Sequence, residues 1–210
     1  MNASFYQFPF PNMIKSWSEK GKDIRWAIKI NKSITHRHKF NEEALEIWKK
    51  FEDAFRTMDT LIDFYLFQLP LLITPNLASR IAAFAEETAL QQRFALEFRN
   101  KDWFQEKWYE WAEEKEITLV SVDAPELPRK IYAINDVVYL RMHGRRKWYR
   151  HKYSTKELEE IEAKICKAEP EKAYVFFNNN HNMLKDARKL QELMEEKKRT
   201  GKKIGKKGLK

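Results

Sequence analysis

The sequence has little cysteine, glycine and proline, and it contains no long apolar run. Cys166 is the only cysteine among 210 residues, which excludes an internal disulfide framework and a zinc site built from cysteines. Five glycines and seven prolines are too few for a fibrous or low-complexity chain. No apolar stretch approaches the roughly 18 residues that span a bilayer, and no secretory signal opens the sequence. We therefore expect a cytoplasmic protein without a membrane partner.

What is present fits a globular domain. Hydrophobic residues make up 43% of the sequence, which is enough for one sizeable core, and we expect a single domain over residues 1–196. Lys and Glu are abundant and Gln is rare, a balance that favours a thermophilic source.

The positive charge is concentrated at the carboxyl terminus. The net charge is +9, and residues 197–210 (KKRTGKKIGKKGLK) hold eight Lys and Arg residues and no acid. Subtracting these eight charges from +9 leaves +1 for residues 1–196. A run of lysine and glycine buries no apolar surface, so we expect 197–210 to be a disordered basic tail. The tail could bind nucleic acid, or it could be a solvated terminus.

Strand-like and helix-like segments alternate along the rest of the chain. Short aromatic or β-branched segments predict strands at 4–8, 25–30, 64–69, 94–99, 118–123, 137–143 and 173–178. Amphipathic segments predict helices at 13–20, 41–60, 75–91, 103–115, 154–167 and 183–198. This alternation predicts a parallel α/β sheet, either a (β/α) barrel or an open doubly wound sheet. No glycine-rich phosphate loop follows a strand, which disfavours the dinucleotide-binding version.

Four of the predicted helices begin with a capping signal. Asn41 precedes two glutamates, Thr74 precedes a proline, and Ser154 is followed three residues later by Glu157 in a capping box. Asp102 could cap a helix that opens at Trp103.

Two predicted strands end in side chains that an apolar core does not accept. Ala-Leu-Glu-Phe-Arg at 95–99 presents Glu97 and Arg99, and Val-Tyr-Leu-Arg-Met-His-Gly at 138–144 presents Arg141 and His143. Strand side chains alternate, so each pair projects from one face of its strand. The carboxyl ends of parallel strands share one edge, and we expect these four side chains to share one cavity there.

Other polar side chains are predicted at the same edge of the sheet. The acid/base candidates are Glu97, Asp123 and His143, and the substrate-binding candidates are Asn2, Lys29, His36, Gln68, Arg99, Arg141, Tyr149 and Asn178. Lys29 and the arginines suit a phosphate or carboxylate on the substrate. Two carboxylates and a histidine could coordinate a divalent cation, although no clustered metal motif supports this. Alternatively, Glu97 pairs with Arg99 or Arg141 and the charges only fill the interior.

The segment after the 137–143 strand combines cations with aromatic residues. Residues 144–154 read GRRKWYRHKYS, so Arg and Lys alternate with Trp148, Tyr149 and Tyr153 between positions 145 and 153. Such a loop can bind a phosphate backbone and stack on bases or sugar rings. It could equally be a substrate lid, or a solvated loop whose aromatic residues pack on the rim of the sheet.

Seven segments in order resemble the YecE-like family of uncharacterised TIM barrels, the domain of unknown function 72. The resemblance runs from Asn2 to about Leu193 and is carried by NASFYQFP, RWAIKI with ITH, LFQLP, ALEFRNKDWF, VSVDAP, VYLRMHG and YVFFNN. It implies a TIM-barrel-like fold. It supplies no reaction, although a distant likeness to sugar isomerases has been suggested for the family.

The sequence departs from this family at its beginning. Family members usually carry a glycine-rich strand and a helix before the Asn-x-x-Phe-Tyr segment, which here starts at Asn2. We therefore expect a parallel (β/α) barrel that lacks its usual first βα unit. Either the natural start is absent from this chain, or the barrel is open or completed by another chain.

Two functions of different classes follow from these residues. The first is an enzyme, of isomerase or hydrolase type, that acts on a small sugar-like or phosphate-like substrate at the carboxyl end of the barrel. The second is a nucleic-acid-binding protein that uses the 145–153 loop and the basic tail. Binding of nucleic acid would weaken steeply with added salt, whereas binding in a buried small-molecule site would not.

Overall fold

The computed structural model describes residues 1–205. The chain forms two compact units, Met1–Val120 and a second that begins at Ser121. Both units consist of parallel strands with helices between them, which confirms the predicted α/β class. The prediction of a single domain over 1–196 stays a prediction.

The first unit alternates helices and strands. In chain order it contains α1 (Pro11–Lys20), β1 (Trp26–Lys29), α2 (Glu42–Phe55), β2 (Ile62–Gln68), α3 (Ala78–Thr88), β3 (Phe94–Glu97), α4 (Glu106–Glu114) and the start of β4 (Thr118–Asp123). The strands are parallel and lie in sequence order. Lys29 is paired with Leu66, and Gln68 with Glu97, so the carboxyl ends of β1 to β3 reach one edge.

The core of this unit is strongly aromatic. Trp48 of α2 meets Tyr65 of β2 edge to face, with ring centroids 5.0 Å apart. Phe67 and Phe94 on neighbouring strands stack with centroids 3.9 Å apart. These side chains are fully buried, and together they remove a large apolar area from water, which holds the helices against the sheet.

The second unit contains the end of β4, then β5 (Val137–Met142), α5 (Thr155–Lys167), β6 (Lys172–Phe177) and α6 (Met183–Gly205). β5 and β6 pair in parallel from Val137 opposite Lys172 to Met142 opposite Phe177. Alternate residues of β5 pack on the two helices in one buried cluster that includes Val138, Leu140, Met142, Leu158, Ile161, Ile165 and Leu190. Tyr139, Arg141 and His143 alternate with these residues, and they therefore face away from α5 and α6.

Two of the four predicted caps form. Asn41 Oδ1 accepts the backbone N–H of Ala44 at 3.1 Å, and Ser154 with Glu157 makes a complete capping box at the start of α5. Thr74 does not cap, because its hydroxyl donates to Asn76 Oδ1 at 2.6 Å. Asp102 does not cap either, since it lies inside the 3-10 turn Lys101–Trp103, and its own backbone N–H donates to Asn100 Oδ1 at 2.9 Å.

The predicted strand at 4–8 is wrong, and residues 1–205 contain six strands instead of seven. Ala3–Phe5 forms a 3-10 turn in which Phe5 N donates to Asn2 O at 3.2 Å. The Ser4 hydroxyl donates to Lys29 O at 2.6 Å and fastens this turn to the end of β1. A hydroxyl bonded to the backbone in this way competes with strand pairing, which explains the error.

The last helix extends beyond its predicted end. α6 continues to Gly205, seven residues past the predicted boundary at Lys198 and into the predicted 197–210 tail. Residues 206–210 of that tail lie outside the described residues. Across 1–205, no helix is both long enough and apolar enough to cross a membrane.

Candidate functional site

The carboxyl ends of β1, β2 and β3 bring three predicted site residues together in the first unit. Lys29 ends β1, Gln68 ends β2 and Glu97 ends β3. Lys29 Nζ donates a 2.9 Å hydrogen bond to Gln68 Oε1, and Gln68 is the register partner of Glu97. Sequence reasoning placed these residues at one edge, and the strand pairing shows why they meet there.

The Lys29 ammonium group is held in a defined position. It lies 3.7 Å from the centroid of the Phe5 ring, in cation–π geometry. Gln68 Nε2 donates to Leu69 O at 2.7 Å, which turns the Gln68 carbonyl oxygen toward Lys29. The Phe5 ring is present because the 3-10 turn that replaces the predicted first strand directs it to this point. Sequence reasoning missed Phe5 as part of the site.

His36 lies on a short π-helical turn, Ser33–Arg37, beside the same ring. Its ring packs edge to face on Phe5 at 5.3 Å, and its Nδ1 lies 2.8 Å from Thr35 Oγ1. Burial and then the nearby charges of Lys29 and Lys32 lower the pKa of His36 from its usual 6.5. The imidazole is therefore neutral at pH 7 and can accept a proton.

Glu97 and Arg99 form an ion pair at the end of β3. Arg99 Nη2 lies 2.6 Å from Glu97 Oε1, the Glu97 side chain has no exposed surface, and 12% of the Arg99 side chain is exposed. This pairing is the arrangement that the sequence left open as an alternative to catalysis. The ion pair fixes the Glu97 carboxylate at the end of β3, opposite Gln68 of β2.

Asn2 is exposed at the start of the 3-10 turn, where its backbone oxygen accepts from Phe5. Its side chain makes no cap bond. A role for Asn2 in substrate binding stays a prediction.

In the second unit, Asp123 at the end of β4 is the acceptor for two side chains. Arg145 Nε donates to its Oδ2 at 2.9 Å, and the Tyr153 hydroxyl donates to its Oδ1 at 2.8 Å. Arg145 also donates from Nη1 to Glu160 Oε2 at 2.7 Å. The hydrogen bonds from Arg145 and then Lys164 lower the pKa of Glu160 to about 2. Both Asp123 oxygens are thus used to hold the segment that follows β5.

Arg141 and His143 come from the end of β5 and are both buried. His143 N donates to Asp123 O at 2.8 Å, which continues the pairing of β5 with β4 beyond the strand. The His143 ring lies 5.4 Å from the ring of Trp148 and 5.5 Å from that of Tyr149. Tyr149 N donates to His143 O at 2.8 Å, so the loop folds back over the end of its own strand.

The basic and aromatic loop separates into buried and exposed members. Arg145 and Tyr153 turn inward to Asp123, and only 8% of the Arg145 side chain is exposed. The remaining cations of the loop face solvent, namely Arg146, Lys147, Arg150 and Lys152. Tyr149 is 44% exposed between them. Arg145 is therefore a structural residue and does not contribute to a solvent-facing basic patch.

Asn178 follows β6 and is half-buried, and its backbone N–H donates to Met142 O at 2.8 Å. Its neighbour Asn179 is fully buried, and its Nδ2 donates to His151 O at 2.8 Å and to Asp186 Oδ2 at 2.6 Å. Sequence reasoning missed Asn179 and Asp186, whose partners lie about 28 and 33 residues away along the chain. Only a polar residue inside an otherwise apolar segment could have indicated them.

The predicted common cavity of Glu97, Arg99, Arg141 and His143 joins residues of both units, and it stays a prediction. Within residues 1–205 no group of three or more His, Cys, Asp or Glu side chains is arranged to hold a metal ion. Coordination of a divalent cation also stays a prediction.

Comparison with known proteins identifies the family. The model of the family described as "Protein of unknown function DUF72" matches residues 1–207. The chain belongs to the DUF72 family. The resemblance seen in the sequence is thereby confirmed, and no curated protein matches this DUF72 chain.

Two solved structures of DUF72 proteins share its fold. A DUF72 protein of Enterococcus faecalis V583 is 20% identical, with a TM-score of 0.83 over 93% of this chain and 83% of that chain. A DUF72 protein of Thermotoga maritima MSB8 is 23% identical, with a TM-score of 0.77 over 91% of this chain and 82% of that chain. At these identities the likeness concerns the fold alone.

Proposed function

We propose that the protein is an enzyme that acts on a small, polar, anionic substrate of sugar or phosphate type. The substrate lies at the carboxyl ends of β1 to β3, on the side of a TIM-barrel-like sheet where such folds place their chemistry. The observation that carries this proposal is the group formed by Lys29, Phe5 and His36 beside the buried Glu97–Arg99 pair.

Each residue of this group has a role that fits its surroundings. Lys29 supplies a fixed positive charge for a phosphate or carboxylate. The neutral imidazole of His36 transfers a proton, and its pKa is lowered first by burial and then by the charges of Lys29 and Lys32. These two charges would also attract the anion. Glu97 is the acid/base candidate at the adjacent strand end. His143 remains an acid/base candidate of the second unit.

Asp123 has a different role in this proposal. Its two carboxylate oxygens accept hydrogen bonds from Arg145 and Tyr153 of the following loop. We therefore assign Asp123 to positioning the loop rather than to proton transfer.

The test measures binding of pentose and hexose phosphates by calorimetry to the unaltered protein and to Glu97→Gln and Lys29→Met. We expect Lys29→Met to weaken binding. We expect Glu97→Gln to abolish the heat of turnover of the bound sugar phosphate, recorded in the same calorimeter, while the fold survives. Glu113→Gln, an exposed carboxylate on α4, is the matched control.

Glu97 also has an alternative, purely structural role. Breaking a buried pair costs about 3–5 kcal/mol of unfolding free energy. If Glu97→Gln loses that stability but keeps unaltered affinity and turnover per folded molecule, Glu97 belongs to the scaffold. If no sugar phosphate binds to the unaltered protein, the proposed substrate class is wrong.

A second candidate function is nucleic-acid binding, and the exposed part of the 145–153 loop favours it. Arg146, Lys147, Arg150 and Lys152 face solvent with Tyr149 between them. Such a surface suits a single nucleic-acid strand, because the cations can contact its phosphates and the exposed aromatic ring can stack on a base. Binding of an oligonucleotide that falls steeply with salt would support this function, and binding that ignores salt would oppose it.

A further inference from the structure

A cleft of about 800 Å³ lies in the second unit between the start of α5 and the start of α6. Leu158 and Tyr153 form buried parts of its wall, and Leu184 is exposed at its rim. Its charged wall comes from Lys152 of the loop and from one face of α6. Of the residues that the sequence singled out for function, Lys152 and Tyr153 of the 145–153 loop line this cleft.

The cations of this cleft share one helix face. Lys185 and Arg188 are three residues apart on α6, which places them next to one another on the helix surface. His181 lines the cleft from the 3-10 turn that precedes the helix. Lys152 lines the same cleft from the loop. Between residues 1 and 205, the side chains of Lys152, Lys185 and Arg188 have no ion-pair partner.

The acidic residues of the cleft are already engaged. Asp186 is 3% exposed, and its Oδ2 accepts hydrogen bonds from Tyr153 N at 3.2 Å and from Asn179 Nδ2 at 2.6 Å. Glu192 lies 3.1 Å from Lys189 and neutralises that cation. Asp186 keeps its negative charge, because both of its donors are neutral groups. The cleft is therefore lined by four Lys and Arg side chains against two carboxylates, and four minus two leaves a net charge of +2.

This arrangement is unfavourable for the helix alone. Lys185 lies in the first turn of α6, where the helix dipole disfavours a cation, and Arg188 is a like charge one turn away. Asp186 in the same turn offsets part of the dipole effect, and the repulsion between Lys185 and Arg188 remains. An anion in the cleft would reduce that repulsion.

We propose that this cleft binds the phosphates of a single-stranded nucleic acid. Lys152, Lys185 and Arg188 contact consecutive phosphates, and Leu184 offers an apolar surface beside them. A strand is favoured over a free phosphate because Lys152 continues into the exposed Arg150 and Tyr149 of the loop, which extends the cationic track and adds a ring for a base. This inference deepens the second candidate function and does not depend on the enzyme.

The test uses the full chain and a fluorescent oligothymidylate of about 16 nucleotides, with anisotropy read between about 50 and 200 mM salt. The cleft variant is Lys185→Gln with Arg188→Gln, and the control is Lys22→Gln with Lys167→Gln, two exposed lysines outside the cleft. All variants keep residues 197–210, so any contribution of the tail is constant. Far-UV circular dichroism checks that each variant is folded.

We expect the cleft variant to bind more weakly and to lower the slope of log affinity against log salt by about 1.4, because each phosphate contact on a single strand contributes about 0.7. Lys152→Gln alone should lower it by about 0.7. The control should bind with the same affinity and the same salt slope as the unaltered protein.

Several results would overturn the inference. A cleft variant that matches the control would remove the cleft as a site. If Arg146→Gln with Lys147→Gln then still weakened binding, the loop alone would carry the candidate function. The assignment to a single strand would be wrong if the protein bound inorganic phosphate but did not bind the oligonucleotide. It would also be wrong if a duplex of equal length bound more tightly than the oligonucleotide. No oligonucleotide binding by the unaltered protein at about 50 mM salt would defeat both the cleft and the nucleic-acid function.

Discussion

The Tyr153 hydroxyl donates a 2.8 Å hydrogen bond to Asp123 Oδ1, thirty residues earlier in the chain, and accepts the backbone N–H of Gly144 at 3.0 Å. One phenol therefore joins the end of β4 to both ends of the loop between β5 and α5. Burial, followed by the negative charge of Asp123, raises the pKa of Tyr153 above its usual value of 10. The phenol consequently remains a donor throughout the physiological pH range.

We expect Asp123→Asn to destabilise the protein by about 3 kcal/mol. The substitution leaves the guanidinium group of Arg145 mostly buried with Glu160 as its remaining carboxylate, and breaking a buried pair has a cost of this size. Chemical denaturation monitored by tryptophan fluorescence measures the loss. Limited proteolysis should show new cleavage among residues 145–152, because the loop loses its anchor.

The matched variant for this prediction is Tyr153→Phe. It removes one neutral donor and keeps the ring, so a smaller loss of about 1–2 kcal/mol is expected. If Asp123→Asn were as stable as the unaltered protein but inactive, Asp123 would be a catalytic residue and its assignment to loop positioning would be wrong.

Lys29→Met should raise the pKa of His36 toward 6.5 without restoring it completely. The charge of Lys29 is one cause of the lowered value, and burial, the larger cause, is retained. Titration of the histidine ring resonances by NMR measures the shift. Lys22→Met, which changes the net charge equally, should leave the resonance unaltered.

His36 also predicts a dependence of stability on pH. Its folded pKa is below its unfolded value of 6.5, so between these values the unfolded chain binds more protons than the folded chain. The contribution of His36 to stability is therefore fully present above pH 6.5 and is lost as the pH falls toward the folded pKa. His36→Gln should flatten this part of the curve of unfolding free energy against pH, and an unchanged curve would contradict the lowered pKa.

Ser154→Ala should destabilise the protein by about 1 kcal/mol, since it removes the capping box at the start of α5. Thr74→Ala tests the same kind of residue at a helical start where the hydroxyl does not cap, and its effect should be much smaller. Urea midpoints with unchanged m values report both. Equal losses would show that the Ser154 cap contributes nothing specific.

The ion pair of Lys197 indicates how much of the carboxyl-terminal segment can be removed without loss of stability. Its ammonium group lies 3.2 Å from Glu162, whose side chain is only 10% exposed. Removal of residues 206–210 should leave the melting temperature unchanged, whereas Lys197→Met should lower stability by up to about 1 kcal/mol. A large drop in melting temperature on removal of 206–210 would show that these residues pack on the protein.

The sequence predicted the strands that carry the candidate site because their pattern is local. Glu97 and Arg99 alternate with apolar residues at a strand end, and so do Arg141 and His143, and such alternation depends only on the strand's own geometry. The same reasoning failed at residues 4–8, where the Ser4 hydroxyl binds the backbone of β1 and a turn replaces the predicted strand. No local pattern reveals a partner 25 residues away.

The partners of charged residues were decided by the tertiary structure alone. Arg145 and Arg146 are adjacent and identical in type, yet Arg145 is held by Asp123 and Glu160 while Arg146 faces solvent. The sequence determined that the loop is basic, aromatic and next to a strand end. Which of its cations are neutralised depends on carboxylates that approach from β4 and α5, and the strength of an ion pair depends on distance and burial, which a sequence does not contain.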